Sequence, residues 1–208
     1  MKTSELWQHI HAERATMADT WEALGPEQWA MASWCDGWTV HEAAGHVLAA
    51  AEQTAPNFYK EMVLAGFRFN VFADRAARRL GTLPTAELVR RLRARTTTTN
   101  HPPAPVVAML GEIVVHGADI RRPLGLEHRP PQAALVAVAD NYKGTNLLIG
   151  SKRRIEGLGL RATDGEWTCG SGPEVAGPLH SLVLAMAGRS GAVSDLTGDG
   201  VATLRARI

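Results

Sequence analysis

The run Val106-Val107-Ala108-Met109-Leu110-Gly111-Glu112-Ile113-Val114-Val115-His116-Gly117-Ala118-Asp119-Ile120-Arg121-Arg122 is apolar over most of its length, yet it carries Glu112 and His116 four positions apart. On a helix, residues at that spacing project from one face about one turn apart, which is a chelating geometry. Met109, Leu110, Ile113, Val114 and Val115 around them predict a largely buried helix, so the Glu and the His must find partners inside the protein. A metal ion is one such partner; a direct Glu–His hydrogen bond is another. An isolated pair of this kind favours the second.

Upstream, His46 sits in a similar apolar run, Ala43-Ala44-Gly45-His46-Val47-Leu48, and antiparallel packing of the two helices would bring it to the same place. Two imidazoles and a carboxylate suit Zn²⁺ with an open fourth position, or Fe²⁺ with open facial positions. Glu42 also stands four residues before His46, but Thr39-Val40-His41-Glu42 reads as a capping box, which commits Glu42 to the helix start. His41 falls on another face and is expected at the surface. His9, His11, His101, His128 and His180 lie in polar or loop-like contexts and are expected to be exposed, with His101 able to border a pocket. Asp119, one turn beyond His116, could orient its ring from behind or pair with Arg121 or Arg122.

Working outward, Leu6, Ile10, Met17, Trp21 and Leu24 recur at helical spacing and predict a first amphipathic helix that Gly25-Pro26 ends. A helix from the capping box to about Ala51, two helices over Phe58–Gly66 and Val71–Leu80, and a short one from Pro84 to about Arg95 follow. The Thr- and Pro-rich stretch 96–105 reads as a loop. After the Glu112–His116 helix, a last apolar helix is expected from Gln132 to about Leu148. Residues 1–150 are thus expected to form a helical bundle.

Beyond Gly150 the period changes. Leu158, Leu160 and Ala162 alternate with Gly159 and Arg161, Asp164-Gly165 suits a hairpin turn, and Glu166–Cys169 suits a return strand. Leu179–Ala187 reads as a short helix closed by Gly188, and Val201–Ile208 as a final strand. Residues 151–208 are expected to form a small α+β unit.

Composition limits the partners. Lys and Arg total 22 against 21 Asp and Glu, a net charge of +1, which offers no broad basic field for a nucleic acid backbone. No stretch approaches the roughly 18 apolar residues of a membrane span. Cys35 and Cys169, far apart and outside any CxxC pair, suit a reduced compartment, so a cytoplasmic location is expected. Arg far outnumbers Lys, which occurs only at positions 2, 60, 143 and 152, and Ala is abundant, a usage that points to a GC-rich, actinobacterial kind of source.

Taken together, Leu24-Gly25-Pro26-Glu27-Gln28-Trp29, Cys35-Asp36-Gly37-Trp38-Thr39-Val40 leading to His46, and Glu112-x-x-x-His116-Gly117-x-Asp119-Ile120-Arg121-Arg122 resemble the mycothiol-dependent maleylpyruvate isomerase family. Gly177-Pro178, Gly188-Arg189 and Thr197-Gly198-Asp199-Gly200 extend the resemblance over nearly the whole chain. It departs from the family pattern at Asp36, where Pro is common, and in the shortness of the C-terminal unit. The resemblance implies a DinB-like four-helix bundle followed by a sterol-carrier-like α+β domain. It implies zinc held by His46, Glu112 and His116, and mycothiol as the thiol cosubstrate. It also implies an arginine from the second domain, best matched by Arg189, that holds a substrate carboxylate. The partners would be a small electrophile and a low-molecular-weight thiol. An isomerase would add the thiolate to an activated C=C bond, allow rotation and eliminate; an S-transferase with the same site would release a conjugate. A metal-dependent hydrolase and a non-catalytic binding protein are the other readings the residues allow.

Overall fold

The computed structural model describes residues 1–147 and 149–208, and the chain divides into two compact units, Met1–His128 and Arg129–Ile208. The first contains α1 (Thr3–Ala23), α2 (Pro26–Ala30), α3 (Val40–Glu52), α4 (Ala55–Leu64), α5 (Phe69–Leu80), α6 (Thr85–Arg93) and α7 (Val106–Arg121). Helices α1, α7, α3 and α6 each pack on two others of the set and close a four-helix bundle, while α5 lies along α3. Ile10, Met17 and Trp21 of α1, Leu48 of α3, Leu88 and Leu92 of α6, and Leu110 and Ile120 of α7 are buried and fill its core. The periodicity of α1 and the apolar run of α7 predict these contacts, since an apolar face leaves water only by meeting another.

The capping box forms as expected. Thr39 Oγ1 accepts from the Glu42 backbone N–H at 3.2 Å, and the Glu42 carboxylate accepts from the Thr39 N–H at 2.8 Å. Both satisfy donors that a helix start leaves free. Glu42 also receives Arg78 at 3.1 Å, so its carboxylate is occupied at the end of α3.

Along the middle of α3 the backbone runs very close to α5. A Cβ added to Gly45 would stand 2.5 Å from the Ala77 carbonyl oxygen and 2.6 Å from the Gly81 nitrogen. Only a residue without a side chain fits this crossing, and it immediately precedes His46.

The second unit begins with α8 (Gln132–Gly144), which packs on α10 (Leu179–Met186) together with α9 (Ser151–Arg154). The expected helix end near Leu148 lies outside the described residues, and α8 closes at Gly144. The packing unit therefore begins ahead of α8, where the sequence reading drew its boundary after residue 150, because the apolar face of α8 is met by α10. Strands β1 (Gly159–Ala162), β2 (Thr168–Cys169) and β3 (Glu174–Gly177) form a sheet in the order β2-β1-β3. The expected hairpin is present, with Leu160 opposite Cys169, and β3 adds in parallel on the other edge. Leu160 and Ala162 are buried and Arg161 exposed, which is the alternation read from the sequence.

The expected C-terminal strand is absent. Val201–Arg205 forms helix α11, preceded by a 3₁₀ turn at Ser190–Asp195, and Thr197 alone bridges to Ala176 of β3. A period-two pattern over so few residues is equally compatible with one helical turn, and Leu204 is the residue that α11 buries. His180, expected to be exposed, lies in α10, whose residues are all buried. Among the described residues no helix is long and apolar enough to cross a membrane.

Gly45→Ala is expected to lower unfolding free energy by about 1–3 kcal/mol, because the clash is with backbone atoms that cannot swing aside. Urea denaturation compared with wild type measures it; an unchanged midpoint would mean that α3 and α5 can separate without cost.

Candidate metal centre

Three donor atoms converge where α3 crosses α7. His46 Nε2 lies 2.8 Å from Glu112 Oε1, and His116 Nε2 lies 3.4 Å from the same oxygen. The two imidazole rings meet edge to face with centroids 4.6 Å apart. Bonds of 2.0–2.1 Å at tetrahedral angles would place neighbouring donors about 3.3 Å apart, and these three, all within 4.8 Å of one another, are grouped closely enough to hold an ion. The side chain of Glu112 is 27% exposed against 11% and 13% for the two histidines, so the cluster opens on the carboxylate side.

Each imidazole is held from behind. His116 Nδ1 stands 2.9 Å from Oδ2 of Asp119, a carboxylate with no exposed surface. In the neutral ring, a proton on Nδ1 directed at this oxygen would leave the Nε2 lone pair facing His46 and Glu112. Burial alone pulls the His116 pKa down; Glu112, Cys35 and Asp119 together outweigh it and hold the value well above the usual histidine range. His46 is oriented by the Trp38 ring, at 5.0 Å between centroids, and Trp38 Nε1 donates to Asp74 at 3.0 Å. The indole and Arg78 both hold the Asp74 carboxyl below its ordinary value. His46 Nδ1 is buried without a hydrogen-bond partner among the described residues.

A feature the sequence reading passed over is Cys35, whose Sγ lies 3.0 Å from Asp119 Oδ2 and 3.3 Å from His116 Nδ1. A single cysteine in a loop has no periodicity to announce it. The available signal was its position, three residues ahead of a Trp and four ahead of the helix cap.

The remaining candidates fall elsewhere. His41 is half-buried against Trp29, with its Nε2 2.9 Å from the Leu83 carbonyl, so it is not a free surface residue. It lines a cavity of about 460 Å³ with Leu24, Pro26, Trp29, Ala30, Thr39 and Thr85, away from the three donors. His101 contacts the Pro102 carbonyl and Trp7. His128 pairs with buried Glu13 at 2.8 Å. Arg121 donates to Thr20, and Arg122 lies over the Trp34 ring. Arg189 belongs to the second unit, where its Nη1 donates to the Ala187 carbonyl at 2.9 Å at the end of α10.

The fold and these donors define a four-helix-bundle protein with a candidate metal centre between two of its helices. Residues 10–104 match the mycothiol maleylpyruvate isomerase N-terminal domain. The match includes His46 and ends before Glu112 and His116, whose convergence with it is seen in the structure. Two solved structures resemble the whole chain, the crystal structure of the mycothiol-dependent maleylpyruvate isomerase and that of a histidine-to-alanine mutant of it. Each has 15% sequence identity and a TM-score of 0.66, covering 96% of this chain and 93% of the other. At that identity the likeness establishes the shared fold. No curated protein matches the chain in sequence.

Asp119→Asn is expected to cost about 1–3 kcal/mol of stability, since a buried charge-assisted contact becomes a neutral one. In the metal-free protein it should also move the His116 titration to lower pH. The raised native pKa gives stability that is fully present below the unfolded value near 6.5 and is lost as pH rises through the native value; the variant should lose part of it. An NMR titration of His116 in both proteins checks this, and superimposable curves would remove Asp119 as its partner.

Proposed function

We propose that this chain is a metal-dependent enzyme in which His46, Glu112 and His116 hold one divalent ion, zinc by preference, that activates a low-molecular-weight thiol, mycothiol, for attack on a small electrophile. The observation that carries the reading is the convergence of His46 Nε2, Glu112 Oε1 and His116 Nε2 within the mixed nitrogen and oxygen set such ions accept. The match of residues 10–104 to the mycothiol maleylpyruvate isomerase N-terminal domain supports the choice of thiol and the maleylpyruvate-isomerase type of chemistry. A bound ion at an open position would lower the pKa of a coordinating thiol so that the thiolate exists at neutral pH.

The residues of the chain then have separate tasks. Asp119 keeps the His116 proton on Nδ1, so that Nε2 remains available as a donor. Trp38 covers His46 and excludes water from that side. Glu112 stands at the open side of the cluster, where a thiol and an electrophile would enter. Arg189 is assigned to the substrate carboxylate, whose planar fork a guanidinium matches by a bidentate contact. A cytoplasmic setting, where low-molecular-weight thiols are kept reduced, suits this chemistry.

Purified protein is expected to carry about one zinc per chain, and His46→Ala or Glu112→Ala to lose it. Metal analysis followed by turnover of a cis-enedicarbonyl acid with mycothiol, with another thiol and without any thiol checks the whole reading. Full metal occupancy in both variants would defeat the ligand assignment, and thiol-independent hydrolysis would replace thiol activation by hydrolytic chemistry.

A further inference from the structure

The turn that joins α2 to α3 reaches both imidazoles of the metal centre at once. Residues 33–38 fold back on themselves: the Ser33 N–H donates to the Trp38 carbonyl at 3.0 Å, the Trp38 N–H to the Cys35 carbonyl at 3.1 Å, and the Cys35 N–H to Ser33 Oγ at 3.1 Å. Gly37, at φ +76°, supplies the left-handed residue that closes the turn. Its base is fixed by the bridge between Ala32 and Thr39, and its flank by the Trp34 N–H, which donates to the Asp119 carbonyl at 2.9 Å. So held, the turn sets the Trp38 ring against His46 and the Cys35 thiol against Asp119.

Both the thiol and the His116 ring address one oxygen, Asp119 Oδ2, at 3.0 and 2.9 Å. We propose that Cys35 is a positioning residue of this metal centre: its S–H anchors the Asp119 carboxylate, and through it the His116 ring, in the orientation that aims Nε2 at His46 and Glu112. The inference rests on the metal-centre reading given under Proposed function and extends it to a residue that touches neither ion nor substrate. Cys35, His116 and Asp119 also lie close enough to take an ion of their own. Two ions would require both ring nitrogens of His116 to be stripped of protons, whereas the carboxylates on either side favour keeping one.

Support behind a metal ligand is worth about 10–100-fold in metal affinity. Zinc affinity of the full chain, measured by competition with a chromophoric chelator, should therefore fall about tenfold or more in Cys35→Ala and in Cys35→Val, the second of which keeps the volume but lacks the donor. Cys35→Ser, which retains an O–H for the carboxylate, should restore most of the loss. Circular dichroism of each metal-free variant confirms its fold. Cobalt-loaded wild type should show no near-ultraviolet thiolate-to-metal band. Wild-type affinity in folded Cys35→Ala and Cys35→Val overturns the positioning role while leaving the metal centre intact. A thiolate band that Cys35→Ser removes makes Cys35 a ligand, and a second bound ion lost in Cys35→Ala makes the trio a separate site; either overturns the proposal. Wild type that takes up no zinc or cobalt defeats the metal-centre reading itself, and this inference with it.

Discussion

Four strongly polar side chains, His46, Glu112, His116 and Asp119, stand where α3 crosses α7, buried or half-buried in an apolar bundle. In such surroundings an uncompensated carboxylate or imidazolium costs several kcal/mol, so each group has to be paired, hydrogen-bonded or coordinated. The arrangement meets that demand in a chain: Cys35 to Asp119, Asp119 to His116, His116 and His46 to Glu112. Local structure around the crossing follows from it. Gly45 lets α5 press onto α3 at the level of His46, and Trp38 fills the space over the His46 ring. The cluster is thus a costly part of the bundle to assemble and the part whose donors lie together.

Much of this could be read from the chain because it is local. The apolar run around Glu112 and His116 gave a buried helix with two donors on one face, and Thr39-Val40-His41-Glu42 gave the start of α3 through hydrogen bonds that depend only on near neighbours. The capping box also explained why Glu42, at the same four-residue spacing from His46, does not join the cluster. Helical period fixed the bundle because its signal runs over several turns in α1 and α7.

What escaped the sequence reading depended on contacts between distant segments. The apolar face of α8 shows that the helix must be covered and leaves open by what; α10 covers it, and the packing boundary falls ahead of α8. The C-terminal Val201–Arg205 offers one turn of pattern, too little to separate a strand from a helix, and the place at the sheet edge is taken by Thr197 alone. His180 falls inside the helix expected over Leu179–Ala187, but its polar ring suggests exposure, whereas every residue of that helix is buried. Cys35 had no pattern to belong to. Its meaning comes from a turn that places it across from α7, 84 residues away.

That turn links the two halves of the site. Cys35-Asp36-Gly37-Trp38 stands just ahead of His46 and reads in the chain as a connection, with Asp36 the point of departure from the resembled pattern. In the structure Asp36 is exposed while Cys35 and Trp38 point inward, so the departure falls on the solvent side of the turn and leaves the two inward contacts unchanged. The backbone requirements, a left-handed Gly37 and the Ser33 hydroxyl bonded to both Cys35 and Trp38, are local. The consequences are not local, because the same few residues set the angle of an imidazole on α3 and the partner of an imidazole on α7. A bundle whose two donor-bearing helices are clamped by one tight turn has little freedom to spread them. That rigidity is what holding three donors at ion-binding separation demands.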